Sequence, residues 1–242
     1  YFKLKNYAEA ISNFELFLET SSNDAARRND TYVRLGDSHF MSSAYWPAME
    51  NYNKAMEGGS PDKDYAAFQK AMSYGFVDRA EKKLEALESF SANYPNSFYR
   101  DDALYELGNA YLAQENNRDA MVSYEKLVTE IPGSSYVPKA LLKQALILDN
   151  TGKSNEALAK FKKVANTYPS SPEALQAVAS AKIIYIDQGR VNDYASWVST
   201  LDFVEVGNTE LDDASYQAAE QPYLENKPSQ AISRFEAYLK EF

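Results

Sequence analysis

The four residues Thr151-Gly152-Lys153-Ser154 are the part of the sequence that comes nearest to a ligand-binding motif. Gly-Lys-Ser ends the phosphate-binding loop of nucleotide-hydrolysing proteins, where backbone N–H groups and the lysine hold phosphate oxygens. That loop also needs a glycine five residues before its final Gly-Lys pair, and Ile147 occupies that place. We therefore interpret Gly152 as a turn between two helices and Ser154 as the cap of the next helix, and we expect no bound nucleotide.

His39 is the only histidine, and the chain has no cysteine. A Ser-His-Asp triad would have to use His39, and no Gly-x-Ser-x-Gly turn accompanies it. A transition-metal site would depend on carboxylates, because its usual ligands include histidine and cysteine. The acidic pairs Asp101-Asp102 and Asp212-Asp213 stand where helices begin, and the helix dipole explains them there. The sequence therefore predicts no catalytic residue, no metal and no cofactor, so the chain is not an enzyme, and His39 packs between helices.

The charge balance restricts the partners that the chain can bind. Asp and Glu number 35 against 25 Lys and Arg, which gives a formal net charge of −10 and a pI of about 4.8. Nucleic acids and anionic membrane surfaces favour basic proteins, so we expect neither as a ligand. No apolar run approaches the roughly 20 residues of a membrane-spanning helix, so we expect no membrane insertion. The acidity favours a partner segment that is apolar or basic.

Apolar and small residues recur at fixed spacing in residues 101–134, and this spacing indicates two paired helices. The small residues Gly108 and Ala120 would let the two helices approach closely, and Pro132 would end the second helix. The residues of the pattern are Leu104, Leu107, Gly108, Tyr111, Ala120, Tyr124 and Pro132.

The small residue of the second helix, used as a marker, recurs along the chain at intervals of 32 to 40 residues, and a larger apolar residue follows it after four residues. The markers are Ala10, Ala48, Ala80, Ala120, Ala157, Tyr194 and Ala231. Five residues before the marker we expect the turn between the helices, since Gly75, Gly152 and Gly189 stand there and glycine tolerates the left-handed conformation. The pattern predicts helices over residues 7–20, 26–41, 46–57, 62–73, 77–93, 99–113, 117–130, 136–150, 154–167, 172–187, 191–203, 210–224 and 228–241.

Three further features of the sequence concern the lengths and the starts of these helices. The helix over 77–93 is longer than its equivalents by about a turn. Segment 202–212 is rich in β-forming residues and irregular for a turn, and Trp197 falls inside the helix before it. Ser60-Pro61-Asp62 and Ser171-Pro172-Glu173 predict helix starts, with serine as the cap and proline at the first helical position.

The pattern of residues 101–134 resembles the tetratricopeptide repeat, with Leu104 in place of its tryptophan and Tyr124 in place of its phenylalanine. This resemblance implies an all-α fold, a right-handed superhelical solenoid of antiparallel helix pairs, which binds other proteins. We expect one solenoid over residues 1–242, with units at about 1–23, 26–60, 61–95, 98–134, 136–171, 172–207 and 210–242. Because the chain begins within a helix and ends within a repeat, we also expect it to be a fragment of a longer protein.

Three linkers that carry proline and serine, at residues 93–97, 131–135 and 167–171, are similar to those of bacterial envelope tetratricopeptide proteins. Examples are the Tol–Pal-associated cell-division coordinator and the lipoprotein of the outer-membrane protein assembly machine. The resemblance implies the periplasm or cell envelope of a bacterium, and the cytoplasm is the alternative. It also implies a non-enzymatic protein–protein interaction scaffold. The alternative is the regulatory or sensor arm of a larger enzyme whose catalytic domain lies outside this chain.

In this family, positions 2, 5, 6, 9, 12 and 13 of each first helix line a concave groove. Aromatic, methionine and acidic side chains at these positions would bind an apolar or basic segment of a partner, unless neighbouring helices cover them. The terminal-carboxylate clamp of co-chaperone members is absent, because only Asn109, Arg34, Lys139 and Lys143 match it, so an acidic C-terminal tail is not the expected ligand. The predicted groove residues are Phe40, Met41, Tyr65, Gln69, Tyr105, Asn109, Lys143, Tyr216 and Glu220.

Overall fold

The computed structural model describes residues 1–20 and 24–241, and within these ranges it contains helices and connecting segments but no β-strand. The α-helices are α1 (Tyr7–Thr20), α2 (Ala25–Met41), α3 (Tyr45–Glu57), α4 (Lys63–Phe76), α5 (Ala80–Asn93), α6 (Arg100–Ala113), α7 (Asn117–Glu130), α8 (Val137–Asn150), α9 (Ser154–Thr167), α10 (Pro172–Asp187), α11 (Val191–Val198), α12 (Asn208–Leu224) and α13 (Pro228–Glu241). The ends of the first and last predicted repeat units, residues 21–23 and 242, lie outside the described residues.

The chain divides into two compact units, unit 1 (Tyr1–Leu127) and unit 2 (Val128–Phe242). In unit 1 the six helices α1 to α6 pack on one another in chain order, and α2 also contacts α4. In unit 2 each helix from α8 to α13 packs on the next one, while α10 contacts both α8 and α12. Successive helices that pack together across a short turn are antiparallel, so the predicted all-α fold of helix pairs is confirmed. One continuous solenoid over residues 1–242 stays a prediction.

A residue in the left-handed conformation lies in the turn inside each helix pair. These residues have φ angles between 58° and 77°, and from Asp78 onward they follow one another at intervals of 37 residues. Glycine adopts this conformation without steric cost, whereas other residues are strained in it. The predicted turns at Gly152 and Gly189 are therefore confirmed. The full set is Lys5, Ser43, Asp78, Glu115, Gly152, Gly189 and Asn226.

The third repeat has a different register from the one that its glycine predicts. Gly75 lies inside α4, which continues to Phe76, and the left-handed turn residue is Asp78. The second helix, α5, therefore begins at Ala80 and does not extend over 77–93. Ala80 is exposed, and the residue that takes the marker position is Lys83.

A lysine can occupy this small-residue position because its charged end is paired with a carboxylate. Lys83 Nζ lies 2.6 Å from Glu106 Oε2 on α6. The aliphatic stem passes beside Gly75, where a β-carbon would lie 3.3 Å from Lys83 Cδ. Leu87 and Phe90 then supply the buried face of α5, so the prediction that placed the marker at Ala80 was wrong by three residues.

A serine before four of the first helices recurs at the same interval of 37 residues: Ser60, Ser97, Ser134 and Ser171. The carbonyl oxygen of each serine accepts an N–H from the first turn of the following helix, at N–O distances of 3.1 or 3.2 Å. The predicted helix start at Ser60-Pro61-Asp62 is wrong, because α4 begins one residue after Asp62. The start at Ser171-Pro172 is confirmed.

Helix α11 is shorter than predicted and ends at Val198 rather than at residue 203. The main chain turns there, since the N–H of buried Leu201 donates to the carbonyl oxygen of Val198 at 2.9 Å. Residues 204–207 are irregular, and α12 begins at Asn208. Trp197 is buried within α11 and donates its Nε1–H to Asn166 Oδ1 at 3.2 Å.

Candidate protein-binding surface

The first helices of the pairs form a layer within each unit, because α2 contacts α4 and α10 contacts both α8 and α12. We call the face of these helices that carries the predicted groove residues the first-helix face. In unit 1 it comprises Phe40, Met41, Tyr65, Gln69, Tyr105 and Asn109, and in unit 2 it comprises Lys143, Tyr216 and Glu220. Whether this face binds a partner stays a prediction, but the surroundings of each residue are defined.

Asp37 on α2 is the polar centre of the first-helix face in unit 1. Its Oδ1 accepts the hydroxyl of Tyr52 from α3 and the hydroxyl of Tyr65 from α4, both at 2.9 Å. One carboxylate oxygen thus joins three helices. The groove pattern includes Asp37 at position 9 of its repeat, but the spacing alone did not show that two tyrosines bond to it.

The titration behaviour of this group follows from its position. Burial raises the pKa of the Asp37 carboxyl, while the hydrogen bonds from Tyr52 and Tyr65 and the charge of Arg34 oppose the shift. Burial and the neighbouring carboxylate also raise the pKa of Tyr52 and of Tyr65. Both phenols therefore stay protonated and act as donors at neutral pH.

Tyr65 is consequently a structural residue as well as a surface one. Its hydroxyl is committed to Asp37, and its ring lies against the ring of Tyr99, with 5.2 Å between the centroids. Tyr65 and Gln69 are both half-buried. Only part of each side chain is therefore open to a ligand.

Asn109 and Tyr105 on α6 are also engaged inside the protein. Asn109 Oδ1 accepts the hydroxyl of Tyr124 at 2.8 Å, and its Nδ2 donates to Glu106 Oε1 at 3.3 Å. Glu106 in turn pairs with Lys83. The ring of Tyr105 packs at 5.9 Å from that of Tyr124. A chain of polar contacts therefore joins α7, α6 and α5 beneath the half-buried Tyr105.

Phe40 and Met41 differ from each other although they are adjacent at the end of α2. Phe40 is half-buried, and its ring contacts Tyr45 and Phe76, each at 5.4 Å between centroids. Met41 is exposed. Met41 is therefore the most accessible of the predicted groove residues in unit 1.

In unit 2 the predicted residues are spread over two helices. Lys143 on α8 and Glu220 on α12 are half-buried. Tyr216 on α12 is exposed on one side, while its ring contacts Phe235 at 5.8 Å and Tyr238 at 5.7 Å. The structure does not bring these three residues together at one point.

Two exposed apolar residues on α10 were missed in the sequence analysis. Leu175 and Ile183 lie two helical turns apart, and both are exposed. They take positions 1 and 9 of their repeat, and Ile183 at position 9 belongs to the first-helix face. The signal was present, because position 9 is polar in Asp37 and Asn109 but apolar in Ile183. Lys182 pairs with Glu210 at 2.7 Å.

The residues that were candidates for nucleotide binding or catalysis, 151–154 and His39, lie among contacts of helices and turns. Thr151-Gly152-Lys153 forms the turn between α8 and α9, as predicted. Ser154 is the first residue of α9 rather than its cap, and its hydroxyl donates to Asp149 Oδ1 at 3.1 Å. His39 is half-buried, and burial lowers the pKa of its imidazole. Among the described residues, no three acidic or histidine side chains are arranged to hold a metal ion.

Within residues 1–20 and 24–241, no helix combines the length and the apolar character that a bilayer requires.

Several solved structures share this fold at low sequence identity. MamA is 21% identical, with a TM-score of 0.56, and the match covers 68% of this chain and 90% of MamA. A tetratricopeptide repeat protein from Parabacteroides merdae ATCC 43184 is 14% identical, with a TM-score of 0.58 over 97% of this chain and 86% of its own. The apo form of RapI is also 14% identical, with a TM-score of 0.63 over 99% of this chain and 70% of RapI. Identities this low establish similarity of fold alone.

The sequence itself matches a family model in two places. The model of the tetratricopeptide repeat matches residues 102–134 and 139–171, which contain the pairs α6–α7 and α8–α9. No curated protein matches the sequence significantly. Residues 102–134 and 139–171 are therefore tetratricopeptide repeats, and helix pairs continue on both sides of them.

Proposed function

We propose that this chain is a non-enzymatic scaffold that binds a partner protein or peptide on its first-helix face. The observation that carries the proposal is the exposure of large apolar side chains on that face in both units. Met41 is exposed in unit 1, as are Tyr216 and Ile183 in unit 2. Water contact with such side chains is unfavourable, and burial against a partner removes it.

The charges of unit 1 support a partner segment that is apolar or basic. Unit 1 contains 20 Asp and Glu against 14 Lys and Arg. Asp30, Asp37, Asp62 and Asp102 occupy its first helices or the residue just before one of them. Carboxylates on a binding surface attract basic partners and slow the approach of acidic ones.

We further propose that the protein acts in the cell envelope of a bacterium, as a single solenoid over residues 1–242. The proposal of the envelope is supported by the proline- and serine-containing linkers at residues 93–97, 131–135 and 167–171, which resemble those of envelope tetratricopeptide proteins. Osmotic release of the periplasm, followed by immunodetection in the released and retained fractions, tests this location. Retention with the cytoplasmic fraction would rule it out.

The binding face can be tested by site-specific photo-crosslinking in the cells that make the protein. A benzophenone amino acid replaces Met41, Lys143 or Tyr216 on the first-helix face. Val122 is the matched control, because it is an exposed apolar residue on α7, the second helix of its pair. We expect the same partner to be crosslinked from the first-helix face and not from Val122. Equal yields from Val122, or no adduct from the other three positions, would contradict the proposal.

A further inference from the structure

Three rings at helix ends in unit 1, Phe40, Tyr45 and Phe76, contact one another, and the exposed residues Met41 and Trp46 are their chain neighbours. We call these five residues the aromatic edge. The rings of Tyr45 and Phe76 stack at 4.7 Å with an angle of 11° between their planes. Phe40 meets each of them edge to face at 5.4 Å. Helices α2, α3 and α4 all contribute to this surface.

The outer members of the aromatic edge are open to solvent. The exposed fractions are 55% for Met41, 53% for Trp46 and 56% for Phe76. Phe40 and Tyr45 beneath them are half-buried. The base of the surface is therefore held rigidly by ring contacts, while its outer layer can lose water contact on binding. Rigid aromatic side chains of this kind contribute strongly to binding because little side-chain entropy is lost.

The fold does not require aromatic residues at these positions. Tyr45-Trp46 begins the second helix of its pair, and the equivalent residues of the next pairs are Ala80-Glu81, Asn117-Arg118 and Ser154-Asn155. Met41 ends a first helix, as Ala113 and Asn150 do in other pairs. Small and polar residues thus occupy the equivalent positions beside the turn in other helix pairs. The aromatic edge is a local addition to the repeat and needs an explanation other than packing.

A depression adjoins Trp46 on this side of unit 1. It has a volume of about 660 Å³ and lies between Trp46, Tyr74 and the turn that leads into α5, residues 78–82. This space accommodates a large side chain beside the indole ring. Trp46 is therefore the member of the aromatic edge that borders this recess.

The recess itself is lined by two acidic residues, Asp78 and Glu81, and two basic residues, Arg79 and Lys82. Glu50 lies one helical turn after Trp46 on α3, and Asp78 and Glu81 lie at the start of α5. Lys82 is neutralised by Glu85 at 2.7 Å, which leaves Arg79 against three carboxylates. None of these three carboxylates has an ion-pair partner in the described part of unit 1. A basic group at this place would be attracted both by the carboxylates and by the aromatic faces.

We propose that the aromatic edge binds a peptide segment in which an aromatic or long aliphatic residue is flanked by lysine or arginine. The apolar residue enters the recess beside Trp46, and the basic residue meets Glu50, Asp78 and Glu81. This inference rests on the proposed function, since it assumes that the chain binds proteins. It shares Phe40 and Met41 with the first-helix face, and it places the contact at the ends of the helices, around Trp46 and Phe76, rather than along α4 and α6.

The test uses the full chain and a phage-displayed library of random dodecapeptides. Enriched peptides are synthesised, labelled with fluorescein and titrated by anisotropy against the wild-type chain and its variants. We expect enriched peptides to combine an aromatic or aliphatic residue with adjacent Lys or Arg. The double variant Trp46→Ser with Phe76→Ser should weaken their binding at least about tenfold, and Glu81→Lys should weaken it severalfold. Val122→Ser, which also removes an exposed apolar side chain, should leave binding unchanged.

The outcomes separate this inference from the proposed function. Peptides that bind the double variant as well as the wild type, and that crosslink to a benzophenone at Gln69, would overturn the aromatic edge while supporting the first-helix face. Enrichment of acidic peptides, or of none, would also overturn it. Circular dichroism checks that the double variant folds. If its Tm falls, Trp46→Ser alone is used, because it leaves the Tyr45–Phe76 stack intact.

Discussion

The ring of Tyr124 lies so close to Gly108 that a β-carbon on residue 108 would be 2.4 Å from its Cε1 atom. Gly36 and Tyr52 have the same relationship at the same distance. In both pairs the tyrosine hydroxyl then reaches the residue after the glycine, Asn109 at 2.8 Å and Asp37 at 2.9 Å. Two repeats thus use one arrangement, in which a glycine admits the ring and its neighbour accepts the hydroxyl.

Replacing Gly108 by alanine should therefore destabilise unit 1. The new methyl group forces the Tyr124 ring outward, and overpacking of this kind costs about 1–3 kcal/mol of unfolding free energy. Gly133→Ala is the matched control, because a β-carbon there meets nothing within 4 Å. Urea unfolding followed by circular dichroism measures both. Equal stability of the two variants would contradict the close contact.

Substitutions at two left-handed turn residues, Glu115 and Gly152, should change the unfolding free energy in opposite directions. Glu115 adopts φ 59°, a conformation that costs a residue with a side chain about 1–2 kcal/mol. Glu115→Gly should raise the unfolding free energy by up to about 1 kcal/mol, after the added flexibility of the unfolded chain is subtracted. Gly152→Ala should lower it by about 1 kcal/mol through backbone strain alone, since no atom lies within 4 Å of the new methyl group. Thermal and urea unfolding measure both changes, and effects of the same sign would refute the explanation.

Asp37 predicts a dependence of stability on pH. Its pKa is raised in the folded chain because burial penalises the carboxylate. The folded state therefore binds the proton more tightly than the unfolded state. Stability falls as the pH rises from the ordinary aspartate pKa of about 3.9 through the raised folded value.

Asp37→Asn should remove this loss. The amide oxygen can still accept from Tyr52 and Tyr65, as Asn109 does from Tyr124. We expect the variant to be more stable than the wild type at neutral pH and to lose that advantage in acid below about pH 3, where Asp37 is protonated in both states. Urea unfolding at the two pH values measures the difference. Lower stability of the variant at neutral pH would mean that the attraction of Arg34 and the charged hydrogen bonds outweigh burial.

The two tryptophans predict different fluorescence in the two units. Trp46 is 53% exposed in unit 1, whereas Trp197 is 6% exposed in unit 2 and bonded to Asn166. Trp197→Phe should leave a red-shifted emission that acrylamide quenches readily, and Trp46→Phe a blue-shifted, protected one. Stern–Volmer quenching measures the contrast. Equal quenching of the two variants would contradict the burial of Trp197.

Most of the helix boundaries could be predicted because turns and small residues recur with the period of the repeat. The predicted register of the third repeat was wrong for a physical reason. A charged Lys83 takes the place of a small residue there, and glycine sits inside α4 instead of at the turn. A lysine that is acceptable only because Glu106 neutralises it cannot be recognised from spacing. The recurrence of Ser60, Ser97 and Ser134 at 37 residues would have given the correct register.

The candidate surface was predicted less completely than the fold. Positions in the repeat identify which side chains point away from the paired helix, and Met41 and Tyr216 are indeed exposed. They do not show which side chains bond to neighbouring helices, and the hydrogen bonds of Tyr65 and Asn109 inside unit 1 could not be predicted from them. Of the aromatic edge only Phe40 and Met41 were predicted, because the five members come from three helices.

The interval of 37 residues between Ser60 and Ser97, and between Asp78 and Glu115, means that the chain can change length in whole steps. Excision of residues 64–100 would join Lys63 to Asp101. Ser60 would then stand four residues before Asp101, and Glu115 would take the turn position that Asp78 now occupies. Helix α3 would then meet the helix that begins at Asp101 in place of α4. Loss or gain of coding sequence in such steps preserves the spacing of the serines from Ser60 to Ser171 and of the turn residues from Asp78 to Asn226.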